Sequence, residues 1–286
     1  MKNIVIFGTG AAGRAIYRAI ATNNNIVAFI DNNKQKQGSK YMDIPIYSVD
    51  EILGLEFDFV YIGGIWADEM EAQLLNLGLK SDKIMVLDEK DISFSTPIRE
   101  RLTDEIMRIL DGYFRDINMD YFICNSGLIS ILRGRALSVV SDVDLYVMRY
   151  GDLEFLAKNL PNLLGGEYQV NLRYIQDDIR LKSGDIKRIT ITNSDGVVID
   201  IGYFDDYGKF KICDYDDGRF FYFPRAIFDG GFDRLNYKDF SLSVLKNYHQ
   251  YLCFMYGENY IEIPKRFSSN DYLNLKTKAE LDSLNI

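Results

Sequence analysis

The sequence predicts an α/β chain in two parts, a doubly wound parallel sheet over residues 1–92 followed by an α+β domain over residues 98–286. Three observations predict it. Strand-like and helix-like segments alternate through the first ninety residues, opening on an apolar strand, a glycine-rich turn and a helix. Periodicity then lapses in Asp88–Arg99, DEKDISFSTPIR, a linker containing Pro97. Beyond it, acidic residues sit alone inside apolar strands.

In order, Lys2–Phe7 is a buried strand running into Gly8-Thr9-Gly10-Ala11-Ala12-Gly13 and the helix RAIYRAIAT. This is a Gly-x-Gly-x-x-Gly fingerprint in its strand–turn–helix setting, a Rossmann-like feature whose candidate nucleotide contacts are Gly8, Gly10, Ala11 and Gly13. The next strand, IVAFID, ends on Asp31, where an acidic residue can bind ribose hydroxyls. The glycines serve helix–strand packing whether or not a nucleotide binds. A charged loop with Gly38, the extended IPIYS, a helix from Val49, the strand FDFVYIGG, the helix AQLLNLGL and the strand KIMVLD complete the domain.

The second domain opens with an amphipathic helix, about Arg99–Phe114, with Leu102, Ile106, Ile109, Leu110 and Tyr113 on one stripe. YFICNSGLISILRG then reads as strand, small-residue turn (Asn125, Ser126, Gly127) and helix, a setting in which backbone N–H groups can meet a phosphate. LSVVSDVDLYVM reads as a strand, and its period of two puts Asp142 and Asp144 on one face with Cβ atoms roughly 7 Å apart. Two like charges that close on a half-buried strand need a compensating cation, most simply Mg²⁺ or Mn²⁺ with oxygen ligands. Next come the helix DLEFLAKNL and the strands YQVNLRYI, IKRITITN and VVIDIGYF, the last two joined by an Asn-Ser-Asp-Gly turn. Asp200 is alone on the last of these. Turn, Asp-x-Asp strand and later single-Asp strand outline a nucleotidyltransferase-type site for two-metal phosphoryl chemistry.

FFYFP is a further strand, and LNYKDFSLSVLKNYHQYLCFMYGENYIEIP gives a strand and a helix whose aromatics read as core. His249, the single histidine, lies in that helix and reads as structural. A second acidic pair, Asp214 and Asp216, falls in a solvated hairpin turn, CDYDDGRF.

Hydrophobic residues make up 47% of the 286, enough for a core in each domain. Apolar runs such as FVYIGGIW fall far short of the roughly 20 residues that span a bilayer. The opening MKNIVIFG leads straight into a strand, so no signal peptide is expected and the cytoplasm is the default compartment. Cys124, Cys213 and Cys253 are far apart without a Cys-x-x-Cys, which argues against a Cys/His zinc site and supports no disulfide. Net charge is −9, spread over both domains, so neither has the basic footprint of a nucleic-acid binder. Oligomeric state is left open, a homo-oligomer included.

The pattern KNIVIFGTGAAGRAIYRAI…IVAFIDNN…GSKYMDIPIYSVDEIL…FVYIGG resembles the N-terminal Rossmann-like domain of PglD-type sugar acyltransferases. The resemblance implies a nucleotide or sugar-nucleotide ligand; no hexapeptide repeat follows, so acetyl transfer is not implied. Residues 100–265 resemble the LicD family of phosphocholine-type transferases. The resemblance rests on Ser126-Gly127-Leu128-Ile129-Ser130 through Arg133, Ser141-Asp142-Val143-Asp144, Val198-Ile199-Asp200-Ile201, Tyr251-Leu252, Tyr256-Gly257 and Pro264. In that family the first acidic residue of an Asp-x-Asp-x-Asp run stands where this chain has Val140-Ser141. The LicD-like resemblance implies transfer of a phospho-alcohol group from a CDP-activated donor to a glycan hydroxyl in surface-polysaccharide assembly. Asp142, Asp144 and Asp200 would be metal ligands, with Asp200 as general base the second choice, and Ser126, Gly127 and Arg133 would hold phosphate. Two other readings stay open: a nucleotidyltransferase releasing pyrophosphate, and a non-catalytic sugar-nucleotide-binding module.

Overall fold

The computed structural model describes residues 1–87, 92–175, 184–215, 218–262 and 267–283. By its contacts the chain divides into two compact units, one built on residues 1–94 and the other beginning at Ser95. Residues 267–271 group with the first unit, where sequence reading had assigned them to the second. Ser269 N–H donates to Ile65 O at 3.4 Å there.

The first unit runs β1 (Asn3–Phe7), α1 (Ala11–Ile20), β2 (Asn25–Ile30), β3 (Lys40–Tyr41), β4 (Ile44–Tyr47), β5 (Phe59–Ile62), α2 (Ala67–Asn76) and β6 (Ile84–Val86). Its sheet has the order β3-β4-β2-β1-β5-β6, parallel except for the β3–β4 pair. Alternation along β1 sends Ile4 and Ile6 to one face with Ala15 and Ile16 of α1, and Val5 and Phe7 to the other with Leu74 of α2. Helices on both faces make this a Rossmann-like, doubly wound sheet. The helix expected from Val49 is a 3₁₀ segment, Val49–Gly54, opened by a Ser48–Glu51 capping box and stopped by extended Leu55.

The second unit begins with α3 (Pro97–Asp116), capped by Thr96, whose hydroxyl accepts from Arg99 N–H at 3.1 Å, with Pro97 in the first turn. Its buried stripe is Leu102, Ile106, Met107, Leu110 and Phe114; Ile109, expected inside, is exposed, because helical spacing from Leu110 reaches Met107 and Phe114. Then follow β7 (Tyr121–Ile123), α4 (Asn125–Leu132), β8 (Val143–Val147), α5 (Tyr150–Leu164), β9 (Gln169–Tyr174), β10 (Ile186–Thr192) and β11 (Val198–Tyr203). These strands form a sheet of order β7-β8-β11-β10-β9, parallel at β8–β11 and antiparallel elsewhere. Leu153, Leu156, Leu160 and Leu164 line one side of α5, which packs across β8, β9, β10 and β11. The face it meets carries Leu145, Ile189, Ile191, Ile199 and Ile201, so the opposite face takes the intervening polar residues.

β12 (Asp205–Tyr207), β13 (Phe210–Asp214), β14 (Phe220–Pro224) and a late β17 (Leu275–Lys276) make a small second sheet. LNYKDFSLSVL, expected as one strand, is instead the hairpin β15 (Phe232–Tyr237) and β16 (Phe240–Leu245), turning at Lys238 with φ 52°. Arg234 fastens it to α3 through both oxygens of buried Asp111, at 2.7 and 2.8 Å. α6 (Tyr248–Tyr256) carries the expected aromatics into the core, where Tyr251 stacks on Phe223, and α7 (Lys278–Ser283) ends the described chain. Asp214 closes β13 opposite Phe220, whereas Asp216 and Pro264 lie outside the described residues.

The fingerprint glycines have separable roles. A Cβ on Gly13 would lie 1.8 Å from Gly8 O, whereas one on Gly10 would meet nothing within 4 Å. Gly13→Ala is expected to cost about 3 kcal/mol or more of the first unit's stability and Gly10→Ala to be near neutral, as read by urea unfolding of the two variants.

Candidate active site

Parallel pairing of β8 and β11 sets Asp144 directly opposite Asp200. Asp142 lies just before β8, because Leu137–Val139 forms a 3₁₀ turn where a longer strand was expected. Nonetheless Asp142, Asp144 and Asp200 bring carboxylate oxygens within 4.8 Å of one another. The three acids singled out in the sequence therefore converge.

Each is held by neighbours. Asp144 Oδ2 accepts from the Asn125 side-chain amide at 3.1 Å, and Asn125 Oδ1 accepts from the buried Tyr251 hydroxyl at 2.7 Å. Asn125 opens α4 with φ 50°, a left-handed conformation that asparagine tolerates, and it turns the amide toward β8. Asp200 accepts from Thr190 Oγ1 at 2.6 Å and from Arg188 Nη1 at 3.1 Å. Asp142 accepts from the Ser141 hydroxyl. Arg99, buried, donates to the carbonyls of Ser138, Ser141 at 2.8 Å and Gly196 at 2.7 Å. One guanidinium thus ties the loop before Asp142 to the hairpin before β11.

Crowding three carboxylates has an electrostatic cost. Burial, and then the charges of Asp142 and Asp200, push the Asp144 carboxyl well above the usual range; Arg188 and Asn125 oppose this. Burial also raises Asp200, against the pull of Arg188 and Thr190. The donor set fits a hard divalent cation: it is all oxygen, and each carboxylate has lone pairs beyond those its neighbours use.

Other expected residues divide. Ser126 and Gly127 occupy the first turn of α4, on the Asn125 side. A Cβ on Gly127 would lie 3.4 Å from both Ile123 Cδ1 and Val143 Cγ1, so glycine there lets the helix close on the sheet. Arg133 is not brought to the carboxylates. It caps the other end of α4, about 12 Å along an eight-residue helix, and donates to Tyr260 O at 3.0 Å and Ile261 O at 2.9 Å. His249 bonds the Tyr260 hydroxyl through Nδ1 and lies tilted against the Tyr248 ring, a structural setting.

In the first unit, Gly8 has φ 88° and Gly10 caps α1, which begins at Ala11. Asp31 does not stand free for a ribose. It is buried and accepts from Thr9 N–H at 2.9 Å, Thr9 Oγ1 at 2.6 Å, Asn33 N–H at 2.9 Å and Lys36 Nζ at 3.2 Å. Burial acts to raise its carboxyl, but these hydrogen bonds together hold it below the usual range. The threonine inside the fingerprint is the cause, since its hydroxyl reaches back across the loop.

Sequence reading missed Arg188, Thr190 and Arg99, and it took Tyr251 as motif and core without its bond to Asn125. The first two had a signal: the Asn193–Gly196 turn fixes the hairpin register, which puts Thr190 opposite Asp200. Arg99 and the Tyr251–Asn125 bond act across long separations, and neither contact had such a signal.

A family described as C2185-like, N-terminal, matches residues 1–85. No curated protein matches the chain. Among solved structures, UDP-D-quinovosamine 4-dehydrogenase from Vibrio fischeri is 21% identical over 30% of this chain and 75% of its own, with a TM-score of 0.26. The lincosamide antibiotic adenylyltransferase LnuA, solved with lincomycin bound, is 15% identical over 50% of this chain and 79% of its own, with a TM-score of 0.33. A nucleotidyltransferase-like antigenic protein from Paracoccidioides brasiliensis is 14% identical over 50% and 60%, with a TM-score of 0.30. Alignments this partial carry no chemistry across. The chain's own strands and helices make it an α/β protein, with a Rossmann-like unit followed by an α+β unit. No helix among the described residues is long and apolar enough to cross a membrane.

The raised Asp144 and Asp200 carboxyls bind protons more tightly folded than unfolded, so their contribution to stability falls as pH rises from about 4 through the folded values. In EDTA, stability should fall as pH rises above about 4, less so in Asp144→Asn, while the stabilisation by added Mg²⁺ grows in the same direction. Tyr251→Phe, which removes the hydroxyl orienting Asn125, should weaken Mn²⁺ binding about tenfold by calorimetric titration.

Proposed function

We propose that the chain is a divalent-cation-dependent transferase that moves a phospho-alcohol group, phosphocholine-like, from a CDP-activated donor to a glycan hydroxyl. The observation that carries the reading is the convergence of Asp142, Asp144 and Asp200 beside the N-terminal turn of α4. Mg²⁺ or Mn²⁺, held by these carboxylates, would neutralise charge developing on the leaving CMP. The residues of the chain supply the rest. Backbone N–H groups at Ser126 and Gly127, with the Ser126 hydroxyl, hold donor phosphate at the helix start. Thr190 and Arg188 fix the orientation of Asp200 as third ligand, and Asn125 fixes that of Asp144. With Arg133 bonded to main-chain carbonyls, phosphate binding falls to the α4 turn. In the first unit, the open surface over Gly10 at the start of α1 is offered to a nucleotide or sugar nucleotide. The LicD-like motif set favours this phosphotransfer over nucleotidyl transfer from CTP.

The test is thermal shift and turnover of the full chain with CMP, CDP-choline, CDP-glycerol, UDP-sugars, NAD and CTP, each with Mg²⁺ or EDTA. A Mg²⁺-dependent rise with CMP or a CDP-alcohol, worth about 2.7 kcal/mol at a hundredfold excess over Kd, is expected. Asp142→Asn should lose it and slow CMP release more than ~100-fold. Pyrophosphate release from CTP would replace this reading with the nucleotidyltransferase one. A response to UDP-sugar or NAD alone, unchanged in Asp142→Asn, would end both.

A further inference from the structure

The three acids are not placed by the same means. Asp144 on β8 and Asp200 on β11 are direct partners in a parallel ladder, so sheet register sets the reach between them. Asp142 lies ahead of β8, after the 3₁₀ turn Leu137–Val139, and takes no part in that ladder. Its place depends on what holds the loop.

Arg99 supplies the hold. It comes from the first turn of α3 and is 4% exposed. Nη1 donates to Ser138 O and Nη2 to Ser141 O at 2.8 Å, so two carbonyls of the loop are gripped, the second in the residue next to Asp142. Nε donates to Gly196 O at 2.7 Å, four residues ahead of Asp200. The hairpin at that end is itself braced: Asn193 Oδ1 accepts from the N–H groups of Asp195 at 3.1 Å and Val197 at 3.0 Å. These acceptors are main-chain oxygens and a guanidinium is a planar fork, so loop and hairpin are held at one offset. The hold works through the shape of the fork, whatever else the guanidinium meets.

That offset controls the width of the oxygen cage. Mg²⁺ takes oxygens at about 2.0–2.1 Å and demands near-ideal geometry, whereas Ca²⁺ accepts about 2.3–2.6 Å in irregular arrangements. The difference, roughly 0.4 Å, is within the precision of a locked side chain and below the drift of an unanchored loop. Asp144 and Asp200, fixed by register, cannot open or close the cage; Asp142 can. We propose that Arg99 is a positioning residue that sets the cation preference of the site. By holding Asp142 in, it favours a small divalent cation of the Mg²⁺ class over a larger one of the Ca²⁺ class. This role of Arg99 rests on the cation-binding half of the reading above and is independent of the donor and the acceptor.

The experiment is calorimetric titration of the full chain, first stripped with EDTA, with Mg²⁺ and with Ca²⁺ separately. Arg99→Lys keeps the charge and loses the fork; it should weaken Mg²⁺ about tenfold while Ca²⁺ changes by less than about threefold. Arg99→Gln should widen the gap. Two further variants separate positioning from loss of stability. Arg234→Gln breaks the pair with Asp111 further along α3 and should lower the melting temperature with the Mg²⁺-to-Ca²⁺ ratio unchanged. Asn193→Ala loosens the hairpin end of the tie with Arg99 intact, and should move the ratio in the direction of Arg99→Lys by a smaller factor. It carries the test if neither Arg99 variant folds. A ratio that stays at the parent's value in Arg99→Lys and Asn193→Ala overturns the role of Arg99, as does one that shifts equally in Arg234→Gln. Failure of the parent to bind either cation overturns the cation-dependent reading of the site and the role of Arg99 with it. Cation binding with the expected shifts, in a chain that turns over no CDP-alcohol, ends the transferase reading and leaves the role of Arg99 standing.

Discussion

The second unit depends on like charges forced together. Parallel pairing of β8 with β11 leaves Asp144 and Asp200 side by side, and Asp142 closes on them from the preceding loop. Such a cluster opposes folding unless something offsets it. The chain provides Arg188, Thr190 and Asn125, and these fall short, as the raised Asp144 and Asp200 carboxyls record. A divalent cation held by the three carboxylates would offset the repulsion that remains.

Around this cluster the surroundings are rigid where position matters. Below it, Tyr146, Phe204, Phe223, Phe228 and Tyr251 make an aromatic layer in close ring contact. The layer explains why the late aromatic run of the sequence is core and how Tyr251, far along the chain, reaches Asn125. Leucines of α5 cover one face of the sheet, and the other face carries both the acids and, alongside them, the aromatic layer that Tyr146 joins.

Legibility in the sequence followed locality. The strand–turn–helix start, the alternation of β1 and the acids isolated on apolar strands all depend on neighbours within a few residues, and they were readable. Register across the Asn193–Gly196 turn was also available, and with it the Thr190–Asp200 pair. Roles set by distant partners were not. Arg133 is in the expected place along the chain, yet the carbonyls of residues 260 and 261 claim it. Asp31 sits at the expected strand end, and a threonine within the glycine turn occupies it. In both cases the residue type was right for the chemistry, and a competing hydrogen-bond partner decided its role.

Arg99 has a consequence for any attempt to study the second unit by itself. Its guanidinium is supplied by the opening turn of α3, yet it anchors the loop carrying Ser141 and the hairpin carrying Gly196. The natural place to cut, inside the amphipathic helix or just ahead of its first leucine, would discard that anchor while sparing every acidic residue. A fragment made that way would keep its ligands and lose their spacing. The shortest piece that preserves the acidic cluster therefore starts no later than Ser95, which keeps the Thr96 cap and the first turn intact.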